Sequence, residues 1–310
     1  MFYRLRRWLD TNRHGWARAV LSTAPLRLDP DGPVIVSQIG GVFTNLYLIA
    51  VKSLGGHIAP SRVIVVDDGS LSPRDRDTIA RHVPRVEFRL VSEIDVGRCP
   101  RGGCWERLAT CIDASADRYV IQADSDTVTV GRPDALLDAV TRNLSVTLTG
   151  HGAGADAGSA VRRLSLAEAA DARRAEFRDV ASSHIQIVSE TMMRDVDALS
   201  GTTYFRGCAG FAGYARGAIA WSDVERYSLA MEAAIGPRWH EWGTEQVTSN
   251  YVIANAAGGS VLPWPAYINM SRGLDEAAAR VIHFSGELRF ADGVYERAAR
   301  TAMQAMRRKG

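Results

Sequence analysis

Lysine is almost missing from this chain, which has only Lys52 and Lys309 among its 37 lysines and arginines. Arginine supplies the rest, and the acidic residues reduce the net charge to +2. A chain without a large basic excess lacks the electrostatic footprint of a nucleic-acid binder, so we expect no nucleic-acid partner. No apolar run approaches the roughly 20 residues that a membrane-spanning helix needs, and the first residues lack the apolar core of a signal peptide.

Cysteine is scarce as well. The four cysteines have neither the CxxC spacing of a zinc site nor the regular framework of a disulfide-bonded secreted domain. This pattern is typical of reduced thiols, and we therefore expect a cytoplasmic protein. At 310 residues the chain is long enough for one large α/β domain or two closely joined lobes.

The N-terminal segment 1–33 is basic and amphipathic. Phe2, Leu5, Leu9 and Trp16 would share one face of a helix, with arginines around them. Such a face can lie on an anionic membrane, which would place the protein peripherally at the inner face of the membrane. It can also pack on the chain's own body or on a second subunit of a homodimer, and we favour packing.

Strands and helices alternate from residue 34 to residue 124. The apolar patterns predict an α/β fold of the doubly wound type, with a mostly parallel sheet flanked by helices. The predicted elements are strands at 34–36, 62–66, 86–91 and 119–124, and helices at 44–54, 73–83 and 104–114.

The second half of the chain is less regular. Residues 164–180 are expected to be helical, 184–188 to form an edge strand, and 295–308 to form a basic helix. The segment 150–158 is rich in glycine and alanine and is expected to be a mobile loop. The glycine-rich segment 205–214 suggests backbone that lies close to a ligand.

The most informative stretch is Tyr119–Thr127, an apolar run that ends in two aspartates one residue apart. Strands of open α/β sheets present their functional residues at their C-terminal ends. Asp124 and Asp126 would repel each other there, so one stays protonated unless a cation neutralises the pair. Mg²⁺ or Mn²⁺ prefers such oxygen ligands and is commonly shared with substrate phosphates. The alternative is a solvated turn that contains two aspartates.

Asp67 and Asp68 follow a second, purely aliphatic strand, so their carboxylates are expected at the same edge of the sheet. A carboxylate in that position can accept hydrogen bonds from a nucleobase or from ribose hydroxyls. The alternative is a tight turn, which the sequence Asp-Asp-Gly-Ser also suits.

This order of motifs resembles the GT-A type nucleotide-sugar glycosyltransferases. The resemblance implies that Asp124 and Asp126 bind Mn²⁺ or Mg²⁺, which bridges the diphosphate of a UDP- or GDP-sugar donor. It also implies that one of these carboxylates, Asp124 here, meets the donor's ribose or sugar, and that Asp67 and Asp68 contact the nucleotide. The second partner would be a carbohydrate or another acceptor with a free hydroxyl group.

Two later stretches are similar to the glycogenin-like retaining members of that group. Trp242–Asn250 is similar to their Asp-Gln-Asp-x-x-Asn stretch, and Val281–Arg289 to their His-Phe-x-Gly-x-x-Lys stretch. The resemblance implies that His283 completes the metal site. It also implies that Arg289 contacts the diphosphate, because arginine keeps the charge of lysine and adds a forked donor.

The chain departs from the family pattern at three points. Val247 replaces the second acid of the Asp-Gln-Asp stretch, and Phe290 stands where a Pro-Trp pair usually follows. The Asp-Asp-Gly-Ser turn is more typical of inverting relatives. We favour retention of the anomeric configuration over inversion.

Glu245 and Gln246 are the candidate catalytic residues. In an inverting enzyme Glu245 would deprotonate the acceptor hydroxyl, and in a retaining enzyme either residue would stabilise positive charge at the anomeric carbon. The alternative for Glu245 is an ordinary first-turn glutamate favoured by the helix dipole. Arg107, on the helix after two glycines, either reaches the nucleotide or is solvated.

Three tryptophans lie in the same region of the sequence as Glu245 and Gln246. Trp239, Trp242 and Trp264 could stack on a sugar face or on a nucleobase, although buried packing is the more common use of a tryptophan. The resemblance divides the chain into a nucleotide-sugar-binding half at 34–150 and an acceptor-binding, catalytic half at 151–294. The basic helix at 295–310 follows them.

Two other functions fit parts of this sequence. Asp124 and Asp126 match the nucleophile and the acid/base of haloacid-dehalogenase-like phosphatases. That family needs a later lysine or arginine and a late acidic Gly-Asp motif, but Lys309 is the only later lysine and no such motif follows. A non-catalytic protein that binds sugar nucleotides is the other alternative.

Overall fold

The computed structural model describes residues 14–150 and 162–309 of the chain. The strands in these ranges are β1 (Val34–Ile39), β2 (Arg62–Asp67), β3 (Glu87–Leu90), β4 (Val120–Ala123), β5 (Thr127–Thr129), β6 (Val146–Thr149), β7 (Leu164–Ser165), β8 (Thr203–Tyr204), β9 (Gly207–Tyr214), β10 (Ser260–Val261), β11 (Tyr267–Asn269) and β12 (Val281–His283). The α-helices are α1 (Thr44–Gly55), α2 (Pro73–His82), α3 (Trp105–Ser115), α4 (Asp134–Arg142), α5 (Leu166–Glu176), α6 (Ile185–Met192), α7 (Trp221–Ile235), α8 (Thr244–Asn255) and α9 (Val294–Lys309).

Seven strands form the central sheet, in the spatial order β10-β6-β9-β4-β1-β2-β3. β1 pairs in parallel with β2 and β4, β2 with β3, and β10 with β6. β9 runs antiparallel to both of its neighbours, β4 and β6. The predicted α/β class with a mostly parallel sheet is confirmed, and strands from both halves of the chain share this sheet.

The inner strands are buried on both faces, which explains their continuous aliphatic sequences. In β2, Val63 and Val65 pack in the part of the core that includes α1, whereas Ile64 and Val66 pack in the part that includes α3. Alternate side chains of one strand therefore pack against the helical layers on opposite faces of the sheet. The strands and helices predicted between residues 34 and 124 lie within a few residues of the observed ones.

The edge strand predicted at 184–188 is wrong, because this segment begins helix α6. The side chain of His184 caps the helix, with its Nδ1 accepting a hydrogen bond from the backbone N–H of Gln186 at 3.3 Å. Ile185 and Val188 are both buried, as residues three apart on one helical face are. The local alternation of apolar and polar residues suggested a strand, but packing follows the helical period.

A small second sheet places the end of the chain beside the end of β4. Its order is β11-β12-β5, with β12 antiparallel to β5. In this register His283 lies opposite Thr127, directly after Asp126 in the chain. The backbone N–H of Phe284 donates to the carbonyl of Asp126 at 2.8 Å. This pairing brings two distant segments to one point.

The N-terminal segment packs on the chain's own body where the structure describes it, while residues 1–13 lie outside the described residues. A 3₁₀-helix spans Gly15–Ser22. Trp16 contacts Tyr295 of α9 edge-on with ring centroids 5.3 Å apart, and Arg307 donates to the Ser22 hydroxyl at 2.9 Å. No described helix combines the length and apolar character that a membrane crossing requires. The predicted loop at 150–158 lies outside the described residues beyond Gly150.

Candidate functional site

The two aspartates lie in a tight turn at the C-terminal end of β4. The Asp124 carbonyl accepts hydrogen bonds from both the backbone N–H and the hydroxyl of Thr127, at 3.1 and 2.8 Å. The backbone N–H of Asp124 donates to the carbonyl of Gly210 in β9 at 2.9 Å. These bonds fix the turn, so both carboxylates project into the same cavity.

His283 completes a compact group of metal-ligand side chains. Its Nε2 lies 3.3 Å from Asp126 Oδ1 and 3.7 Å from Asp124 Oδ2. One ligand atom from each of the three residues lies within 4.8 Å of the others. Among the described residues, this is the one group of three histidine, cysteine or carboxylate side chains with such spacing.

Each aspartate divides its two oxygens between two tasks. Asp124 Oδ1 accepts a hydrogen bond from Arg107, and Asp126 Oδ2 accepts one from Arg289 at 2.5 Å. The other oxygen of each carboxylate faces the Nε2 atom of His283. The arginines therefore neutralise the outer oxygens, while the inner oxygens and the imidazole converge.

The orientation of the His283 ring is set by Asn269 on the neighbouring strand β11. Asn269 Oδ1 lies 2.8 Å from Nδ1 of His283, and its Nδ2 donates to the Thr149 carbonyl at 2.5 Å. Because Nδ1 is held by the amide oxygen, Nε2 is the nitrogen presented to the carboxylates. Such an outer partner is the usual means of orienting a metal-binding histidine. Cys208 Sγ is also close to Nδ1, at 3.5 Å.

Gly210 gives the imidazole its space. A Cβ atom at this position in β9 would lie 2.5 Å from both ring nitrogens of His283. The sequence predicted that the glycine-rich segment 205–214 approaches a ligand. The structure shows that its backbone approaches a side chain of the candidate site.

Gly210→Ala is expected to weaken Mn²⁺ binding, because the added methyl group must push the imidazole away from the aspartates. Displacing an oriented ligand should cost about tenfold or more in affinity, measured by titration calorimetry. Gly213→Ala is the matched control on the same strand, since its methyl group would meet Tyr119 and Val146 instead. Both variants should lose about 1–3 kcal/mol of stability through overpacking. An unchanged Mn²⁺ affinity in Gly210→Ala would contradict the expectation.

The environment moves the pKa values of the two aspartates apart. Burial and the neighbouring Asp126 raise the pKa of Asp124, in spite of Arg107. Burial also acts to raise the pKa of Asp126, but His283 and Arg289 outweigh it, and the net pKa is lowered. Two close carboxylates commonly differ in this way, because the charge on one disfavours ionisation of the other.

Glu245 lies in the first turn of α8, deep in the site. It is only 3% exposed, and both of its carboxylate oxygens accept hydrogen bonds from Arg107 Nη2 at 3.3 Å. Burial raises the pKa of Glu245 to about 7, although Arg107 acts in the opposite direction. The next residue, Gln246, accepts a hydrogen bond from the backbone N–H of Ala209 at 3.3 Å. Arg107 thus links Glu245 to Asp124.

One cavity of about 360 Å³ contains most of the predicted site residues. Its lining includes Arg107, Asp124, Asp126, Glu245, Gln246, His283 and Arg289, together with Cys104, His184, Gln186, Cys208 and Trp242. A larger cavity of about 600 Å³ beside α3 and Trp221 holds no comparable set of metal ligands within the described ranges.

The sequence matches no protein-family profile and no curated protein. The chain is similar to solved structures of sugar-transferring enzymes. A galactosyltransferase, LgtC, in complex with donor and acceptor sugar analogues is 13% identical, with 87% of this chain and 95% of that chain covered and a TM-score of 0.47. Mouse xyloside xylosyltransferase 1 is 10% identical over 83% and 98% of the two chains, with a TM-score of 0.41. The mannosyltransferase Ktr4p from S. cerevisiae is 9% identical over 79% and 75%, with a TM-score of 0.38.

Asp67 and Asp68 do not line this cavity. Asp67 is buried, accepts hydrogen bonds from the backbone N–H groups of Gly69 and Leu71 at 2.8 and 3.3 Å, and pairs with Arg76. Asp68 is exposed and binds Ser70 while lying against Gly40, after the end of β1. Their predicted contact with the nucleotide stays a prediction.

Sequence reasoning did not single out Asn269, Gln186 or the thiol of Cys208 as parts of the site. Asn269 carried one usable signal in the sequence, because it ends a short apolar segment. In the structure this segment is β11, which runs parallel to β12. Neighbouring parallel strands end at the same edge, so the last residue of β11 falls beside His283. Gln186 carried none, since its segment was assigned to a strand.

Proposed function

We propose that this protein is a metal-dependent glycosyltransferase that moves a sugar from a UDP- or GDP-sugar to an acceptor hydroxyl. The observation that carries the proposal is that the two oxygens of each aspartate have different partners. Each has one oxygen neutralised by an arginine and one directed to His283 Nε2. This arrangement supports a divalent-cation site with a positively charged side chain at its edge, which would suit a diphosphate.

The donor set fits Mn²⁺ or Mg²⁺. Asp124 and Asp126 supply hard oxygen ligands. Although burial acts to lower it, Cys208 and Asp126 raise the pKa of His283 well above its usual value, so Nε2 would give up its proton when it binds the cation. The neutral imidazole that results suits Mn²⁺ better than Ca²⁺. When bound, the cation would supply Lewis-acid stabilisation of the negative charge on the leaving diphosphate. The remaining coordination positions would be open to phosphate oxygens and water.

Arg289 would hold the diphosphate beside the metal ligands. Its guanidinium donates through Nε to the carbonyl of Phe284 at 2.9 Å and through Nη2 to Asp126, and it lies over the Phe43 ring. These contacts fix its plane, so that little side-chain freedom is lost when it binds phosphate. A fixed cation at the leaving group stabilises the transition state without reorganisation.

Glu245 and Gln246 would act at the sugar. In a retaining reaction the Glu245 carboxylate would stabilise positive charge at the anomeric carbon. In an inverting reaction its raised pKa of about 7 would suit removal of the acceptor proton. We favour retention because the stretches around Glu245 and His283 resemble those of retaining enzymes. Proton NMR of the first product formed would show its anomeric configuration directly.

A thermal-shift screen of UDP- and GDP-sugars tests the proposal. With Mn²⁺ present, the cognate nucleotide sugar at a hundredfold excess over its Kd should raise the melting temperature by about 5 °C. The shift should disappear with a chelator, and the stabilising donor should be turned over slowly by water. Turnover of phosphomonoesters instead would support the phosphatase, and binding without any turnover would support a non-catalytic binding protein.

A further inference from the structure

Trp242 is the most exposed large hydrophobic residue among those that the structure describes. It is 66% exposed, compared with 37% for Leu21 and for Trp264. Of these three residues, only Trp242 lines the cavity of the candidate site. Trp239 is fully buried, and its indole N–H donates to the hydroxyl of Ser228 at 2.9 Å. Of the three tryptophans considered from the sequence, only Trp242 is therefore placed to meet a substrate.

The exposed indole is held in a defined position. The ring of His184 packs against it at 5.8 Å between centroids and at an angle of 76°. Gly103 lies on another side, where a Cβ atom would be 3.6 Å from Trp242 Cα. The following residue, Gly243, has φ of 113°, a conformation that starts α8 directly after the tryptophan. A large apolar surface held open in this way is ready to stack on a flat ligand.

A polar side chain, Gln186, lies beside the residue that follows Trp242, since a Cβ atom at Gly243 would be 3.2 Å from the Gln186 amide nitrogen. The side-chain amide of Gln186 faces the cavity and makes no hydrogen bond to any residue of the described ranges. Glu245 lines the same cavity. An apolar platform with an amide beside it matches a pyranose ring, which has an apolar C–H face and a polar rim.

A path of side-chain contacts separates Arg289, the predicted diphosphate contact, from the start of α8, where Trp242 lies. From Arg289, contacts lead through Asp126, His283 and Asp124 to Arg107 and Glu245. Trp242 follows on the N-terminal side of α8. The ends of β1 and β2, where a nucleoside would extend, lie on the other side of β4 from β9. The geometry therefore favours an acceptor over a nucleobase as the partner of Trp242.

We propose that Trp242 and Gln186 form the acceptor subsite, and that the acceptor is a carbohydrate whose pyranose face stacks on the indole. This inference rests on the proposed glycosyltransferase function. It narrows the acceptor to a sugar, as opposed to a peptide or lipid hydroxyl.

Saturation-transfer difference NMR with lactose, maltose and cellobiose tests the subsite. The full chain is studied with Mn²⁺ and UDP or GDP present, using the wild type, Trp242→Ala, Trp242→Phe and the matched control Trp264→Ala. At least one disaccharide should receive saturation mainly on the protons of one ring face. Trp242→Ala should weaken its binding by about tenfold or more, which corresponds to about 1.4 kcal/mol. Trp242→Phe should restore part of the affinity, and Trp264→Ala should bind as the wild type does.

Two outcomes would overturn the subsite. One is equal saturation transfer in the wild type and in Trp242→Ala, and the other is no transfer to any of the three sugars. In both cases Mn²⁺-dependent UDP or GDP binding would still stand as support for the proposed function. If the wild type does not bind UDP or GDP in the presence of Mn²⁺, the proposed function itself is refuted. Because Trp242 is mostly exposed, its variants should have the same melting temperature as the wild type. This measurement separates a binding defect from misfolding.

Discussion

Asp126→Asn is expected to abolish Mn²⁺-dependent binding of UDP or GDP. The substitution keeps the shape of the side chain but removes the charge that faces His283 and Arg289. Loss of an outer-shell partner alone typically weakens metal binding by about 10–100-fold. Removal of a ligand carboxylate should therefore weaken Mn²⁺ binding by about 100-fold or more. Titration calorimetry with Mn²⁺, followed by nucleotide, measures both steps.

Asp124→Asn should have the same effect, since Asp124 supplies the other inner oxygen. Asp138→Asn is the matched control, because that carboxylate is exposed on α4 and pairs with Arg142 at the surface. All three variants should retain the far-ultraviolet circular dichroism of the wild type. If both site variants gave the same titration curves as the wild type, the assignment of a metal to this site would be refuted.

Glu245→Gln is expected to lower the rate of transfer and to stabilise the fold at high pH. If the carboxylate stabilises charge in the transition state, its neutral counterpart should lose about 100-fold or more in kcat. The same carboxylate is buried against Asp124 and Arg107, so its charge is costly to the folded state. Active-site groups commonly reduce stability in this way.

The pH dependence of this stabilisation follows from proton binding. Burial raises the folded-state pKa of Glu245 to about 7, whereas glutamate in an unfolded chain has a pKa of about 4.3. The folded state holds the proton more tightly, so its contribution to stability is complete below about pH 4.3 and is lost as the pH rises through about 7. The loss amounts to about 4 kcal/mol in the wild type. Glutamine has no proton to lose.

Melting temperatures at about pH 5 and about pH 8 measure this difference. Glu245→Gln should melt close to the wild type at the lower pH and clearly above it at the higher one. Glu241→Gln is the control, because this exposed glutamate pairs with Arg238 and its pKa is lowered, not raised. A Glu245→Gln variant that is no more stable than the wild type at about pH 8 would show that Arg107 compensates the charge fully.

The first half of the fold could be predicted from the sequence because its signals are local. Aliphatic runs such as Val63–Val66 are long enough to be strands buried on both faces, and Pro73 marks a helix start. The second half could not, since its strands are short or glycine-rich. β9 lies in the centre of the sheet although only packing against β4 and β6 identifies it as a strand.

The site shows the same division. The position of Asp124 and Asp126 at the end of a strand was predictable from the apolar run before them. His283 and Arg289 were singled out because their local sequence resembles a known motif, and all four line one cavity. The pairing of Arg107 with both Asp124 and Glu245 depends on how α3 and α8 approach each other, which no local pattern encodes. The amide of Asn269 is likewise placed by the register of β11 against β12.

The joining of β12 to β5 has a consequence for the newly made protein. A ribosome adds residues from the N-terminus onward, so the turn with Asp124 and Asp126 emerges long before the strand with His283. Until that strand has left the exit tunnel, the two carboxylates lack both the imidazole and the guanidinium of Arg289. The three candidate ligand side chains can therefore come together only after nearly all of the described residues have been synthesised.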